Sequence, residues 1–438
     1  RSEDISGRII NGSMINPSPS HGNNQGFVSD SLTYVPELNI AYGVTSSNPV
    51  TVNPGSSIVS SISLTAAETS YNRTTYANVS TVKTVAILTV LESAPPDGSF
   101  RPTYCGSNKT ITHNVSELTA NLSKLKKLAP VANTPSLATA ERLFERPWLD
   151  HISGWQARLI KPFENLPDYG REISRDVGIG ALMLHLNYTN DQKMTLLIRF
   201  VQVGLDLYGV VINGGTGNWW PAGGQNGGRK WPILFAGIML NDVNMKNIGQ
   251  KSGDYLHYYD TATSTQYGPG KLPPDFIQFQ EDDQTFYVTA DDVTRTKSSS
   301  WSPDIRGGTP EVYTASDIGL AEWGIFHSFD PYDDNKAWSA EYRTCCSAVS
   351  MNGIVLAARI MNADSGSMTL WNHPAIFDYQ DRYMAVTADP GATPAWRTSV
   401  TAPLWGSYTI NSVWGTNPGW RTWSKFAEVM WDTYRSSY

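Results

Sequence analysis

The sequence predicts a mainly α-helical fold, an α/α toroid built from helical hairpins, with a β-rich segment at its N-terminus. From about residue 134 the apolar runs have the length of helices. Two of these runs, 177–186 and 194–211, are separated only by the short polar stretch 188–191, which predicts a helix–turn–helix hairpin. The second run is apolar on nearly all sides, as expected for the inner ring of a toroid.

The first 130 residues have a different pattern. β-branched runs lie at 50–52, 58–64 and 82–91, and Asn-Pro, Pro-Gly and Pro-Pro pairs separate them. Runs of this kind between turn-forming residues predict short strands.

Further helices are predicted along the rest of the chain. Ser136 is placed to cap a helix that Pro147 stops. The segment 423–434 carries an apolar stripe at helical spacing, formed by Phe426, Val429, Met430 and Tyr434. The other expected helices lie at 231–240, 315–326, 337–361 and 374–385.

Two units are therefore expected. A β-rich, glycosylated segment at 1–133 packs on a catalytic toroid at 134–438. The toroid contains a long insertion at 253–310, with strand-like pieces at 276–281 and 285–289. An insertion of this length in a compact domain is usually functional or disordered. Its aromatic content favours a functional role.

Composition narrows the class of protein. Only 17% of the 438 residues are charged, and the net charge is −7. This acidity argues against a nucleic-acid-binding protein, which normally carries a basic surface. No uninterrupted apolar run reaches about 18 residues, so no membrane span is predicted. The protein is expected to be a monomer. The 15 Trp and 21 Tyr suit contacts with sugar rings, although buried cores use these residues too.

Glycosylation motifs indicate an extracellular protein. Six of the seven Asn-x-Ser/Thr sequons fall within the first 125 residues, which predicts a glycan-coated N-terminal third of a secreted protein. Chance occurrence in Ser/Thr/Asn-rich loops is the alternative. The start of the sequence lacks the apolar region of a signal peptide, so a mature chain is expected. The acceptor residues are Asn11, Asn72, Asn78, Asn108, Asn114, Asn121 and Asn187.

The three cysteines fit an oxidising compartment. One bridge from Cys105 to either Cys345 or Cys346 is the favoured arrangement, and it leaves one thiol over. A bridge between the two adjacent cysteines is the alternative, and it is disfavoured if that segment is helical.

Common catalytic motifs are absent. The sequence contains no His-Glu-x-x-His, Gly-x-Ser-x-Gly, phosphate-binding loop or dinucleotide fingerprint. The Gly-rich run 223–228 is interpreted as a loop whose bare backbone approaches a ligand, with a flexible connection as the alternative. Neither a cofactor nor a metal ion is predicted.

Two clusters combine charged and aromatic residues at the ends of predicted helices, where catalytic groups are often found. Helix capping and surface ion pairs are the alternative for each residue singly. The first cluster comprises Arg146, Trp148, Asp150, His151, Trp155, Asn165, Asp168, Tyr169 and Arg171. The second comprises Glu322, His327, Tyr342, Arg343, His373, Asp381 and Arg382.

Over residues 134–438 this combination of helical hairpins, aromatic residues and scattered Asn, His, Arg and Tyr resembles the α/α-toroid polysaccharide lyases, such as the alginate and glucuronan lyases. The resemblance is architectural. It implies β-elimination on a uronate polymer, in which Arg, Asn or His neutralises the carboxylate and Tyr or His transfers the proton. The implied catalytic residues are Tyr169, His151, Asn165, Arg171, His327 and Tyr342. The implied substrate-binding residues are Arg146, Trp148, Trp155, Trp219, Trp220, Arg229, Lys230 and Arg343.

Two other functions stay open. An inverting glycoside hydrolase of the same architecture would use two carboxylates, with Asp168 and Glu322 as acid and base candidates and Asp150, Asp206 and Asp381 as further ones. A non-catalytic carbohydrate-binding protein is the second alternative. The cations beside the predicted cleft favour the lyase, since local basic charge in an acidic chain suits a uronate polymer.

Overall fold

The computed structural model describes residues 12–19, 47, 49, 51–63, 82–152, 171–221, 223–254, 259–260, 265–266, 275–298, 313–324, 346–387 and 422–438. Within these residues the protein is mainly α-helical with small sheets, so the predicted class is confirmed at that level.

The helices have the following bounds: α1 Val115–Asn121, α2 Leu137–Leu143, α3 Arg171–Leu184, α4 Asn190–Ile212, α5 Lys230–Leu240, α6 Val243–Lys246, α7 Gln280–Asp283, α8 Ala290–Ser298, α9 Ala348–Ser365, α10 Ser367–Trp371, α11 Pro374–Thr387 and α12 Lys425–Tyr434. The strands are β1 Gly12–Ile15, β2 Ser56–Ser63, β3 Val82–Val90, β4 Tyr259–Asp260, β5 Thr265–Gln266, β6 Thr285–Tyr287 and β7 Ala321–Trp323.

The N-terminal strands form an antiparallel sheet in the order β1-β2-β3. The strands predicted at 58–64 and 82–91 are confirmed. The one predicted at 50–52 is wrong for its described residues, 51 and 52, which lie outside any strand. They precede a tight turn in which Gly55 takes φ +81° and donates its N–H to Val90 at 2.8 Å.

The predicted helical hairpin is confirmed as α3 and α4. Thr189 begins α4 with a capping box, because its side chain and that of Gln192 each accept the other's backbone N–H. α4 then packs antiparallel on α5, with Phe200 beside Phe235 at 5.0 Å between ring centroids. Gly204 permits the close approach, since a Cβ there would lie 2.3 Å from the carbonyl oxygen of Pro232.

The N-terminal ends of α3, α5, α9 and α12 meet on one side of this helical core. Arg171 Nη1 lies 3.7 Å from Cys346 Sγ, just before α9. The backbone N–H of Trp423, before α12, donates to Val349 at 2.9 Å. Gly228, before α5, packs against Ser174. We call this region the polar end, because most of the buried charged residues described below lie there.

Three predicted elements differ from the structure. Residues 315–326 do not form a helix where they are described: a short 3₁₀ turn at 315–317 leads into β7, because Gly319 at φ +88° reverses the chain. Residues 276–279 are not a strand, and α7 follows them directly. The helix predicted at 337–361 begins at 348 among the described residues, and 337–345 lie outside them.

The cysteines also differ from the favoured pairing. Cys105 is a free, buried thiol, and Cys346 is disulfide-bonded, so the expected bridge from Cys105 is wrong. Cys345 lies outside the described residues. The bridge between neighbours was disfavoured on the assumption of a helix, but α9 begins only at Ala348.

α4 is the one described helix that is long and apolar enough to cross a membrane, by length and composition. Of its most apolar window, 61% is buried inside the protein. A core helix of a soluble protein passes the same test, so this is weak evidence for a membrane span.

The described sequons differ in the surroundings of their asparagines. Asn108 and Asn187 are exposed. Asn114 caps α1 and donates its Nδ2 to the carbonyl oxygen of Asp97 at 2.7 Å, while Asn121 Nδ2 donates to that of Met239 at 2.9 Å. An N-linked glycan attaches to Nδ2, so in Asn114 and Asn121 the atom that would carry the glycan is already hydrogen-bonded within the fold. The sequons at Asn11, Asn72 and Asn78 lie outside the described residues.

We therefore expect protein from a eukaryotic host to carry glycans at Asn108 and Asn187, and none at Asn114 or Asn121. Endoglycosidase treatment followed by peptide mass mapping measures the occupancy of each site. A glycan on Asn114 in folded protein would contradict the cap described here. Unmodified Asn108 and Asn187 would count against the predicted secretion.

Candidate functional site

Arg229 and Asp150 form a buried ion pair at the polar end. Arg229 Nε lies 2.9 Å from Asp150 Oδ2, and Arg229 is 1% exposed. The guanidinium also donates to the carbonyl oxygens of Gln225 and Gly227, at 3.0 and 2.7 Å. Arg229 was predicted to bind substrate, and the structure instead surrounds its charge with protein acceptors.

Lys230, the next residue, forms a second buried pair. Its ammonium bonds to Asp282 and to the carbonyl oxygen of Trp371, and both Lys230 and Asp282 are 0% exposed. Trp371 Nε1 donates to the other carboxylate oxygen of Asp282 at 2.8 Å. Burial lowers the pKa of Lys230, and the neighbouring carboxylate of Asp282 opposes that shift. This predicted substrate-binding residue is thus also held inside the protein.

Glu281 is a buried carboxyl beside these pairs. Its two oxygens accept the backbone N–H groups of Lys230 and Gly228, at 3.0 and 3.1 Å. Burial raises the pKa of Glu281 to about 7, and the Asp282 carboxylate adds to the rise, while the hydrogen bond from the Lys230 backbone opposes it. A carboxyl with this pKa can hold or release a proton near neutral pH, as general acid–base catalysis requires.

The Gly-rich loop 223–228 approaches the protein itself. A Cβ on Gly224 would lie 1.8 Å from the carbonyl oxygen of Cys346, and one on Gly228 would lie 2.7 Å from Ser174 Cα. The side chains of Gln280 and Glu281 accept backbone N–H groups of the loop. The bare backbone therefore serves the packing of this loop between α3, α7 and α9, a role that the ligand-loop interpretation did not include.

His151, a predicted catalytic residue, is also buried at 1% exposure. Its Nδ1 lies 3.3 Å from the Tyr104 hydroxyl, which accepts the backbone N–H of Asp150 at 2.8 Å. With that N–H bound, the hydroxyl is free to donate its proton to Nδ1. Burial raises the pKa of Tyr104 well above its usual value, so the hydroxyl stays protonated.

Arg171, at the start of α3, is buried and paired. Its Nε lies 2.8 Å from Glu172 Oε1, and its guanidinium stacks over the Trp423 ring at 3.8 Å from the centroid. Trp423 Nε1 donates to the same Glu172 oxygen at 2.9 Å. The neighbouring Glu172 and the distant Trp423 therefore together stabilise one cation at the polar end.

The other predicted binding residues in the described part are either buried in the core or only partly buried. Trp148 packs in the core, stacked on Phe144 at 5.2 Å. Trp219 is buried and stacks on Phe279 at 5.4 Å, whereas Trp220 and Arg146 are only partly buried.

The carboxylates of the hydrolase alternative are also engaged where they are described. Glu322 is buried and ion-paired with Arg382. Asp206 pairs with Arg101, and Asp381 pairs with Arg359 and Arg435. His373 contacts Thr285. The remaining candidates lie outside the described residues: Trp155, Asn165, Asp168, Tyr169, His327, Tyr342 and Arg343.

The acidic run Glu281-Asp282-Asp283 was missed. Three consecutive carboxylates normally indicate a solvated surface, yet all three are fully buried here. In the sequence, the burial of this acidic run was indicated only by the apolar residues on both sides of it, Phe276 to Phe279 before the run and Phe286 to Val288 after it.

No group of three or more His, Cys, Asp or Glu in the part of the chain that the structure describes is arranged to hold a metal ion. The chain matches no protein-family model, no curated protein sequence and no solved structure.

Proposed function

We propose that this protein is a secreted enzyme that cleaves a polysaccharide, that its helices form an α/α toroid, and that it acts as a monomer at the polar end. α3 and α9 run parallel, since Arg171 lies beside Cys346 at their starts and Gly178 lies beside Gly353 further along. This pairing and the antiparallel packing of α4 on α5 support the toroid. The observation that carries the site is Glu281, a buried carboxyl whose pKa is raised to about 7. Strongly perturbed groups of this kind concentrate at functional sites.

The charge balance favours hydrolysis over elimination. Among the cations that supported elimination, Arg171, Arg229 and Lys230 are each paired with a buried carboxylate. A uronate would therefore have to compete with these carboxylates for them. Hydrolysis needs a carboxylic acid that is protonated near neutral pH and a second, ionised carboxylate. Glu281 has the pKa that the first role requires, and Asp168 is the sequence-based candidate for the second.

β-Elimination is the second candidate, and Arg171 favours it. Its guanidinium lies at the N-terminus of α3, where the helix dipole also stabilises negative charge. A uronate carboxylate beside α3 would meet both. Tyr169, Tyr342 and His327 are the proton-transfer candidates, with Asn165 helping to neutralise the carboxylate.

A product assay tests the function and separates the two chemistries. We expect incubation with a panel of neutral and uronate polysaccharides to give new reducing ends without ultraviolet absorbance. Elimination would instead create an unsaturated uronate that absorbs in the ultraviolet. Tyr169→Phe should leave hydrolysis intact and should abolish elimination.

Binding without chain shortening would support the non-catalytic carbohydrate-binding protein instead. A protein that neither binds nor shortens any polysaccharide in the panel would overturn the proposal. Reducing ends that appear together with the absorbance would establish the second candidate.

A further inference from the structure

A pocket lies on the described part of the protein, beside the C-terminal half of α4. It has a volume of about 270 Å³ and lies between the segment 100–113, the C-terminal part of α4 and the start of α6. None of the predicted catalytic or substrate-binding residues that the structure describes lines it. Pockets for drug-sized ligands are typically about 300–1,000 Å³, so this one suits a smaller molecule.

The cations at this pocket are compensated by carboxylates of the protein. Arg101 donates to both carboxylate oxygens of Asp206. His113 lies between two carboxylates, with Nδ1 at 3.1 Å from Glu117 Oε2 and Nε2 at 3.2 Å from Asp242 Oδ2. The pocket therefore presents no unbalanced cation to a carboxylate or phosphate, and an anionic ligand is disfavoured.

Neutral hydrogen-bonding groups line the remaining wall. Among the described residues, the side chains of Thr110, Thr112, Tyr208 and Asn244 make no hydrogen bond to the protein. Hydroxyl and amide groups both donate and accept, as the hydroxyls of a sugar do. Tyr208 adds an aromatic ring with a polar edge, the side chain best suited to a sugar ring.

We propose that this pocket binds a single neutral pyranose unit. Its size selects one ring, its lack of an uncompensated cation disfavours uronates and phosphosugars, and its unpaired neutral groups match ring hydroxyls. Binding at this site does not require the protein to cleave anything.

Two sources can supply the neutral sugar unit that this pocket would bind. One is a free saccharide or the end of a polysaccharide. The other is a glycan on Asn108, which lies in the sequon Asn108-Lys109-Thr110, is exposed and lines the pocket. Protein made in bacteria lacks the second source, whereas protein from a eukaryotic host carries it if Asn108 is modified.

Ligand-observed saturation-transfer NMR on bacterially expressed full-length protein tests the proposal. The probes are methyl glucoside, methyl galactoside, methyl mannoside and N-acetylglucosamine, with glucuronate as the charged comparison. We expect at least one neutral probe to bind and glucuronate to bind at least tenfold more weakly. Tyr208→Ala should weaken binding at least tenfold, and Asn244→Ala, at an exposed position that leaves folding intact, should weaken it several-fold.

Tyr188→Ala, in the turn between α3 and α4, is the matched control and should leave the signal unchanged. In eukaryotic protein, loss of binding that Asn108→Gln restores would assign the pocket to the protein's own glycan. Unchanged binding would assign it to external saccharides. No signal with any neutral probe, equal loss in Tyr188→Ala, or tighter binding of glucuronate would overturn the proposal.

Discussion

Replacing Lys230 by methionine is expected to lower the free energy of unfolding by about 3–5 kcal/mol, because the variant leaves the Asp282 carboxylate buried without its counter-ion. Lys230 and Asp282 are both fully buried. Methionine keeps most of the length and apolar surface of the lysine stem, so packing changes little. Urea unfolding followed by tryptophan fluorescence measures the loss.

Lys251→Met is the matched control. Lys251 pairs with Asp275 at 3.3 Å, but the two side chains are 50% and 67% exposed, so removing that pair should cost about 1 kcal/mol or less. Adding Asp282→Asn to Lys230→Met should recover part of the loss, because it removes the uncompensated charge and keeps an acceptor for Trp371. Equal effects of the two lysine variants would contradict a buried pair at Lys230.

Helices whose signals are local could be predicted from the sequence. Ser136 caps α2 through the backbone N–H of Thr139, and Phe426 and Met430 in α12 are buried as their spacing predicted. The turn predicted before α4 was also correct, and its capping residues, Thr189 and Gln192, lie only three residues apart in the chain. In each case the residues that determine the structure are close neighbours in the chain.

The start of α3 could not be predicted in this way. Its first turn contains Arg171 and Glu172, which resemble a solvated loop in the sequence. They are buried because Cys346 and Trp423 pack on them, and these partners lie 175 and 251 residues further along the chain. No local periodicity contains that information.

Distant partners also explain why the burial of the cations in the candidate site could not be predicted from the sequence. Arg229 and Lys230 were expected to face a polymer, because local basic charge in an acidic chain suits a uronate polymer. Their carboxylate partners, Asp150 and Asp282, are 79 and 52 residues away. Both residues lie at the polar end, but sequence patterns could not show that their charges are compensated inside the protein.

The pH dependence of stability should report Glu281 directly. The pKa of its carboxyl is raised from 4.5 to about 7 in the folded protein, so between these values the native state binds more protons than the unfolded state. The stability from this group is therefore fully present below pH 4.5 and is lost as the pH rises through 7. A shift of this size corresponds to about 3 kcal/mol.

Glu281→Gln should remove this pH dependence. The variant loses one of the two backbone hydrogen bonds at every pH, a cost of about 1–3 kcal/mol. Its deficit relative to the natural protein should therefore be largest near pH 4.5 and should fall by about 3 kcal/mol towards pH 8, where the variant should be at least as stable as the natural protein. Urea unfolding at a series of pH values measures this change. Glu145→Gln, at an exposed position, controls for loss of a carboxylate as such. A deficit that is constant across pH would contradict the raised pKa of Glu281.

If hydrolysis is the activity, Glu281→Gln should also slow the rate of hydrolysis by about 10²–10⁴, while Glu145→Gln leaves the rate unchanged. An unchanged rate in Glu281→Gln would remove Glu281 from the proposed site.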